Sequence, residues 1–117
     1  MKVRIGGELI SDVELLDSYF SKMKGLMFKE EGRALLKFDV EDKYGVWMPF
    51  MKYPLDLAFI SKELEVVTIN EDVKPISLSP KTWRIYRPDI MCKYILEVES
   101  GLLQEKGVKI GDKVEFC

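Results

Sequence analysis

The chain has no histidine among its 117 residues. That absence removes every histidine-dependent catalytic triad and the commonest transition-metal ligand. Cysteine is nearly absent as well. Cys92 and Cys117 are the only two, too few for a disulfide scaffold, and one pair in a chain of cytoplasmic character is normally reduced. The sequence leaves their pairing open. Side-chain amides shrink to Asn70 and Gln104, while Lys, Glu, Val and Ile abound, a bias of heat-adapted proteins. No uncharged apolar run approaches the ~20 residues that span a bilayer. Met1 to Glu8 lack the apolar core of a signal peptide. The expected setting is the cytoplasm, with no membrane contact. Basic excess is missing too: 18 Lys and Arg stand against 20 Asp and Glu. A net charge of −2 argues against a dedicated nucleic-acid binder.

What is present suffices for a core. Hydrophobic residues make up 47%, so neither a metal nor a disulfide is needed to hold a chain of this size together. One domain over residues 1–117 is expected, with no repeat, linker or low-complexity tract. Lys2 to Ile5 alternates, Gly6-Gly7 offers a two-residue turn, and Glu8 to Ile10 completes a hairpin. Ser11 and Glu14 have the spacing of a capping box, and Leu15, Leu16, Tyr19, Phe20 and Met23 recur at helical intervals. This pattern predicts a helix over 12–24 closed by Gly25. Short strands are expected at 33–38, 46–48, 55–60, 64–69, 93–99 and 113–117, with an irregular stretch over 71–80. A short helix is expected over 101–106, capped by Ser100. The sum is a mainly β (α+β) fold, an antiparallel β-sandwich or partly open barrel with one N-terminal and one short C-terminal helix.

Several blocks carry a resemblance when taken together: Lys24-Gly25-Leu26-Met27-Phe28, Val46-Trp47-Met48, Pro54 to Ile60, Tyr94-Ile95-Leu96-Glu97-Val98, and Gly107 to Val114. Their order and spacing resemble the domain of unknown function 192 family over residues 11–116. The resemblance implies a compact, mainly β domain with a helix packed on it, and no established reaction, ligand or partner. After Trp47-Met48 the family usually continues with a polar Lys-Asn-Thr-like segment. Here the chain reads Pro49-Phe50-Met51-Lys52-Tyr53, so a ligand shaped by that segment would differ.

The stretch from Val46 to Ile60 is the first place to look for function, because it concentrates aromatics, thioethers and two prolines ahead of an alternating strand. In that strand Leu55, Leu57 and Phe59 share one face, while Asp56, Ala58 and Ile60 share the other. Asp56, an acid beside apolar neighbours, is either a general base or ligand anchor, or else a brace accepting backbone N–H groups. Trp47, Phe50 and Tyr53, with Trp83 and Tyr86, either edge an aromatic cleft or fill the core. Met48, Met51, Met23, Met27 and Cys92 offer soft sulfur for Cu(I), although thioethers are more often gap-fillers. Lys81, Arg84, Arg87 and Lys93 interleave with Trp83 and Tyr86, a pattern that stacks on nucleic acid or clamps an acidic partner. Cys92 beside Lys93 and Arg87 reads as a nucleophile or as a buried thiol, and the missing histidine excludes papain-like chemistry. Gly111-Asp112 reads as a tight turn.

The leading expectation is a non-enzymatic module that binds a small molecule or peptide in a groove edged by Trp47, Met48, Tyr53, Asp56, Trp83 and Arg84. No cofactor or metal is called for, and the expected state is a monomer or weak homodimer. Two alternatives stand beside it. One is a small hydrolase or isomerase with Asp56 as base, helped by Lys52 or Arg84. The other is a protein-interaction module that presents an apolar patch including Phe50 and Met51.

Overall fold

A computed structural model describes all 117 residues. The chain runs β1 (Val3–Ile5), β2 (Glu8–Ile10), β3 (Val13–Leu16), α1 (Tyr19–Lys24), β4 (Arg33–Asp42), β5 (Leu55–Ile60), β6 (Val66–Val73), β7 (Cys92–Glu99), α2 (Leu102–Glu105) and β8 (Val114–Phe116), with a 3-10 turn at Pro80–Thr82. These form two sheets, a three-stranded one in the order β2-β1-β8 and a five-stranded one in the order β3-β4-β7-β5-β6. The molecule is mainly β with two helices, and it is not closed into a barrel. No helix is long and apolar enough to cross a membrane.

The large sheet is a wall with apolar packing on both faces. On one face Leu35, Ala58, Ile60, Leu96 and Val98 meet Val3, Ile5, Ile10 and Val114 of the small sheet, together with Leu102 and Leu103. On the other face Ala34, Leu36, Leu55, Leu57, Phe59 and Ile95 meet Leu26, Val46 and Met48 from the connecting segments. A strand buried on both faces reads as a continuous apolar run rather than a half-polar one. All six residues of β5 are accordingly buried.

The N-terminal helix differs from expectation. Residues 13–16 form a strand that pairs parallel with β4, Val13 opposite Arg33 and Leu16 opposite Leu36, so the large sheet is mixed rather than purely antiparallel. Asp12 adopts a left-handed φ of 57°, which no helix start at that point accommodates. The helix begins after Ser18, where a second capping box operates: Ser21 N–H donates to Ser18 Oγ at 3.1 Å, and Ser18 N–H donates to Ser21 Oγ at 3.1 Å. Only six residues long, α1 buries none of them. The stripe of Tyr19, Phe20 and Met23 therefore faces outward. Helical spacing in the sequence was real for these three residues, but ladder pairing with β4 outweighed it for Leu15 and Leu16.

Smaller differences follow from pairing. β6 extends to Val73 because Val73 lies opposite Leu55. The segment 46–48 is no strand beyond a single bridge between Val46 and Tyr86. Gly101, with φ of 95°, takes the place expected of Ser100 at the start of α2. The Gly6-Gly7 hairpin and β5 form as their spacing predicts.

Candidate functional site

The two faces of the wall hold two acids in opposite circumstances. Asp56, on β5, faces the small sheet and α2 and is fully buried. Its Oδ1 accepts the Asp72 N–H at 2.9 Å, and its Oδ2 accepts the N–H groups of Gly101 at 2.9 Å and Leu103 at 3.2 Å. A carboxylate receiving backbone donors at a helix start satisfies groups that the helix itself leaves orphaned. Asp56 thus ties β6 and α2 to β5 and opens onto no cavity. A base needs reach to a substrate proton, and this geometry withholds it.

Glu97, on β7, faces the other way. Its ladder neighbours are Ala34 and Leu57, and only 5% of the residue is exposed. No donor or cation of the protein partners its carboxyl, whose oxygens border a cleft. Burial alone raises its pKa from 4.5 to about 7. Two residues along the same face, Glu99 is bound bidentately by Arg33, Nε to Oε1 and Nη2 to Oε2, both at 2.8 Å. The Arg33 hydrogen bond holds Glu99 below its usual range. Same strand and face, opposite treatment: Glu99 is paired and Glu97 is not.

The cleft over Glu97 has a volume of about 830 Å³, within the range of small-molecule sites. Two sequence segments and three single residues build it. Lys22 to Met27 supply one wall, Gly45 to Met51 the other, and Leu36, Ile76 and Glu97 complete it. Gly25, at φ of 51°, crosses close over the acid: a Cβ there would stand 3.5 Å from Glu97 Oε1. Opposite walls are clipped together by Phe28 and Phe50. Their rings stack at 5.1 Å, and Phe28 N–H donates to the Phe50 carbonyl at 2.9 Å. Both residues hold left-handed φ angles, 65° and 57°, an uncommon state for bulky side chains. Around the mouth Met23, Phe28, Trp47 and Phe50 stay exposed, a concentration of apolar surface of the kind that marks binding sites.

The residues singled out from the sequence separate. Trp47 and Met48 line this cleft, as do Pro49, Phe50 and Met51. Tyr53, Asp56, Trp83 and Arg84 do not. Tyr53 borders a second, smaller hollow with Asp12, Glu30, Glu31, Arg33 and Glu99. Its hydroxyl donates to the Gly32 carbonyl at 2.8 Å, and burial, reinforced by Glu97, Glu99 and Glu31, pushes the phenol up to about 12. The Trp83 indole donates to the Ser77 carbonyl at 2.6 Å, and Arg84 sits 4.5 Å over the Tyr86 ring, so this loop is occupied with itself. Lys52 pairs with Glu30 rather than with Asp56. Both cysteines are free thiols; Cys92 is buried, and burial lifts it to about 11, far from a thiolate. Met23, Met27, Met48 and Met51 gather at the cleft, away from any cluster of three Cys, Asp or Glu that could hold a metal.

Glu97 was not singled out from the sequence as a candidate. In Lys93 to Glu99 it is one of two acids on a strand. The available signal was positional: a charge flanked by Ile95, Leu96 and Val98 in a strand whose neighbours leave no wet face. Three of the five blocks behind the family resemblance, those containing Gly25, Trp47 and Glu97, converge on this cleft.

A family model for DUF192, described only as "Uncharacterized ACR", matches residues 1–116. A UPF0127 protein of Pyrococcus furiosus is 29% identical across 99% of this chain and 96% of its own length. One of Pyrococcus abyssi is 33% identical across 89% of this chain and 85% of its own. Among solved structures, a protein of unknown function from Novosphingobium aromaticivorans superposes with a TM-score of 0.85 at 25% identity, covering 98% of this chain and 84% of that one. A candidate transcription regulator from Sinorhizobium meliloti gives 0.84 at 27% identity, covering 97% and 91%.

Proposed function

This chain belongs to the DUF192 family of uncharacterised proteins, and we propose that it is a binding module whose cleft takes a small molecule or peptide side chain with an apolar body and one polar head. The observation that carries this reading is Glu97, buried without a protein partner and bordering an open cleft. A carboxyl largely withdrawn from water and given no protein donor keeps its hydrogen-bonding capacity for whatever enters the cleft. A ligand donor takes up that capacity. The walls suit an adaptable apolar guest, because Met23, Met27, Met48 and Met51 are unbranched thioethers that repack at little expense. Trp47 and Phe50 add aromatic faces. The Pro-aromatic groove expected from the sequence is kept in part, with Glu97 in place of Asp56 and with Tyr53, Trp83 and Arg84 outside it.

Methionine itself provides the test. Of the six methionines, four line the cleft, whereas Met1 and Met91 lie elsewhere. With 13C-methyl methionine labelling, amphipathic six-carbon probes should move the signals of Met23, Met27, Met48 and Met51 and leave Met1 and Met91 in place. Uniform shifts, or none, would remove the proposal.

A second reading, docking of a partner protein in the cytoplasm, is favoured by one observation. Phe50 and Phe28 are stacked on each other yet more than half exposed, and together with Trp47 they border the mouth. A partner side chain entering the same cleft would cover them.

A further inference from the structure

We infer that the head group the cleft accepts is an ammonium on an apolar stem, an alkylamine or a lysine side chain, held by the Glu97 carboxylate between aromatic and thioether walls. The inference rests on the binding reading above and deepens it. Four features of the cleft lead there.

First, Glu97 is the only acid lining the cleft. A carboxylate removed from water calls for a counter-charge as well as a hydrogen bond. Second, the protein pairs no such charge with it. Lys22 and Lys24 line the cleft from α1, but Lys22 Nζ donates to the Lys37 carbonyl at 3.0 Å and lies 4.5 Å over the Phe38 ring. Neither lysine forms an ion pair with Glu97. Lys24 makes no ion pair at all, and the other titratable groups nearby are committed, Glu99 to Arg33 and the Tyr53 hydroxyl to the Gly32 carbonyl. Third, the surfaces flanking the acid carry negative electrostatic faces without formal charge. Trp47 and Phe50 present π-systems, and the methionine sulfurs present lone pairs; a cation is attracted to the former within about 6 Å of a ring centroid. Fourth, an anionic head placed against Glu97 would meet a like charge, a juxtaposition that costs affinity, and would be drawn to Lys22 and Lys24 on the wall instead. The Gly25 turn keeps the approach to Oε1 narrow, which suits a compact primary ammonium.

Three probes of equal stem length separate the outcomes: n-hexylammonium, hexan-1-ol and hexanoate, each titrated at pH 8 with the methionine-methyl signals as readout. The ammonium should saturate at a concentration at least about tenfold below the alcohol, the difference expected of a charge-assisted hydrogen bond, and hexanoate should be weakest. Lowering the pH to 5.5 protonates Glu97 and should abolish the preference, since the amine stays charged throughout. Glu97→Gln should do the same at pH 8 while leaving hexan-1-ol binding in place. Equal binding of ammonium and alcohol, tighter binding of hexanoate, or an unchanged preference in Glu97→Gln overturns the ammonium assignment while sparing the cleft as an apolar site. No shift with any probe overturns both. The comparison in the unaltered protein stands even if the variant misfolds. Substituting Nα-acetyl-lysine methylamide distinguishes the source: tighter binding than hexylammonium assigns a protein side chain, and weaker binding assigns a free amine.

Discussion

Asp56 and Glu97 lie on adjacent strands of one sheet, one ladder position from facing each other. Both are buried, yet they point through opposite sides of it. Asp56 is saturated by three backbone N–H groups and closes a joint between β5, β6 and α2. Glu97 makes no hydrogen bond within the protein, and its carboxyl meets the opening of the cleft. Burial therefore does not identify a functional acid; the accounting of its lone pairs does. An acid whose hydrogen bonds are all made strengthens the fold. One whose bonds are unmade weakens it, and such local sacrifices gather at binding sites.

The contrast can be broken most severely at Asp56. Asp56→Ala strands three backbone N–H donors, one buried and two partly buried, and should lower stability by on the order of 4 kcal/mol, or prevent folding altogether, as read by denaturant unfolding. Replacement at Glu97 should act in the opposite direction. Its folded pKa lies above the unfolded value, so the native state binds the extra proton between pH 4.5 and about 7. Stability contributed by this group is full below pH 4.5 and falls as pH rises to 7. A rise from 4.5 to about 7 corresponds to roughly 3 kcal/mol. Glu97→Gln should thus be more stable than the parent at pH 8 by roughly 2–3 kcal/mol, with the gap vanishing near pH 4. A pH-independent difference would mean that Glu97 is solvated or paired. Arg33→Ala, which frees Glu99 two residues away, should cost about 1 kcal/mol, because that pair is partly exposed. Glu99 is held low, so its contribution is present above the usual carboxylate pKa and is lost as pH falls. The smallest effect belongs to Trp83→Phe. Since Trp83 lies outside the cleft, its removal should leave the methionine-methyl shifts and probe affinities unchanged.

How much of this was visible in the sequence depends on the range of the interaction. The alternation of Leu55 to Ile60 assigned Asp56 correctly to the face shared with Ala58 and Ile60, because side-chain direction in a strand is a local property. The Gly6-Gly7 hairpin was legible for the same reason. The brace reading of Asp56 was also available from its chemistry, although its donors, from residues 72, 101 and 103, are distant in the chain and could not be named. The N-terminal helix was misread because Leu15 and Leu16 satisfy helical spacing, while the deciding factor, pairing with β4 some twenty residues later, is not encoded nearby. The cleft was half legible: Trp47 and Met48 belong to it. Its acid was not, because what makes Glu97 unusual is the absence of a partner, and an absence is a property of the assembled fold.

The two-sided wall also bears on how the chain finds its alignment. Sliding β7 by one residue against β4 and β5 would turn Glu97 toward the dry interior between the sheets and drive Leu96 and Val98 out the other way. A lone carboxylate in that interior has no opening above it, so a one-residue slip is penalised far more than in a purely aliphatic strand. The residue that loosens the finished molecule is in this sense a proofreader of its assembly: one charge, tolerable in one orientation only.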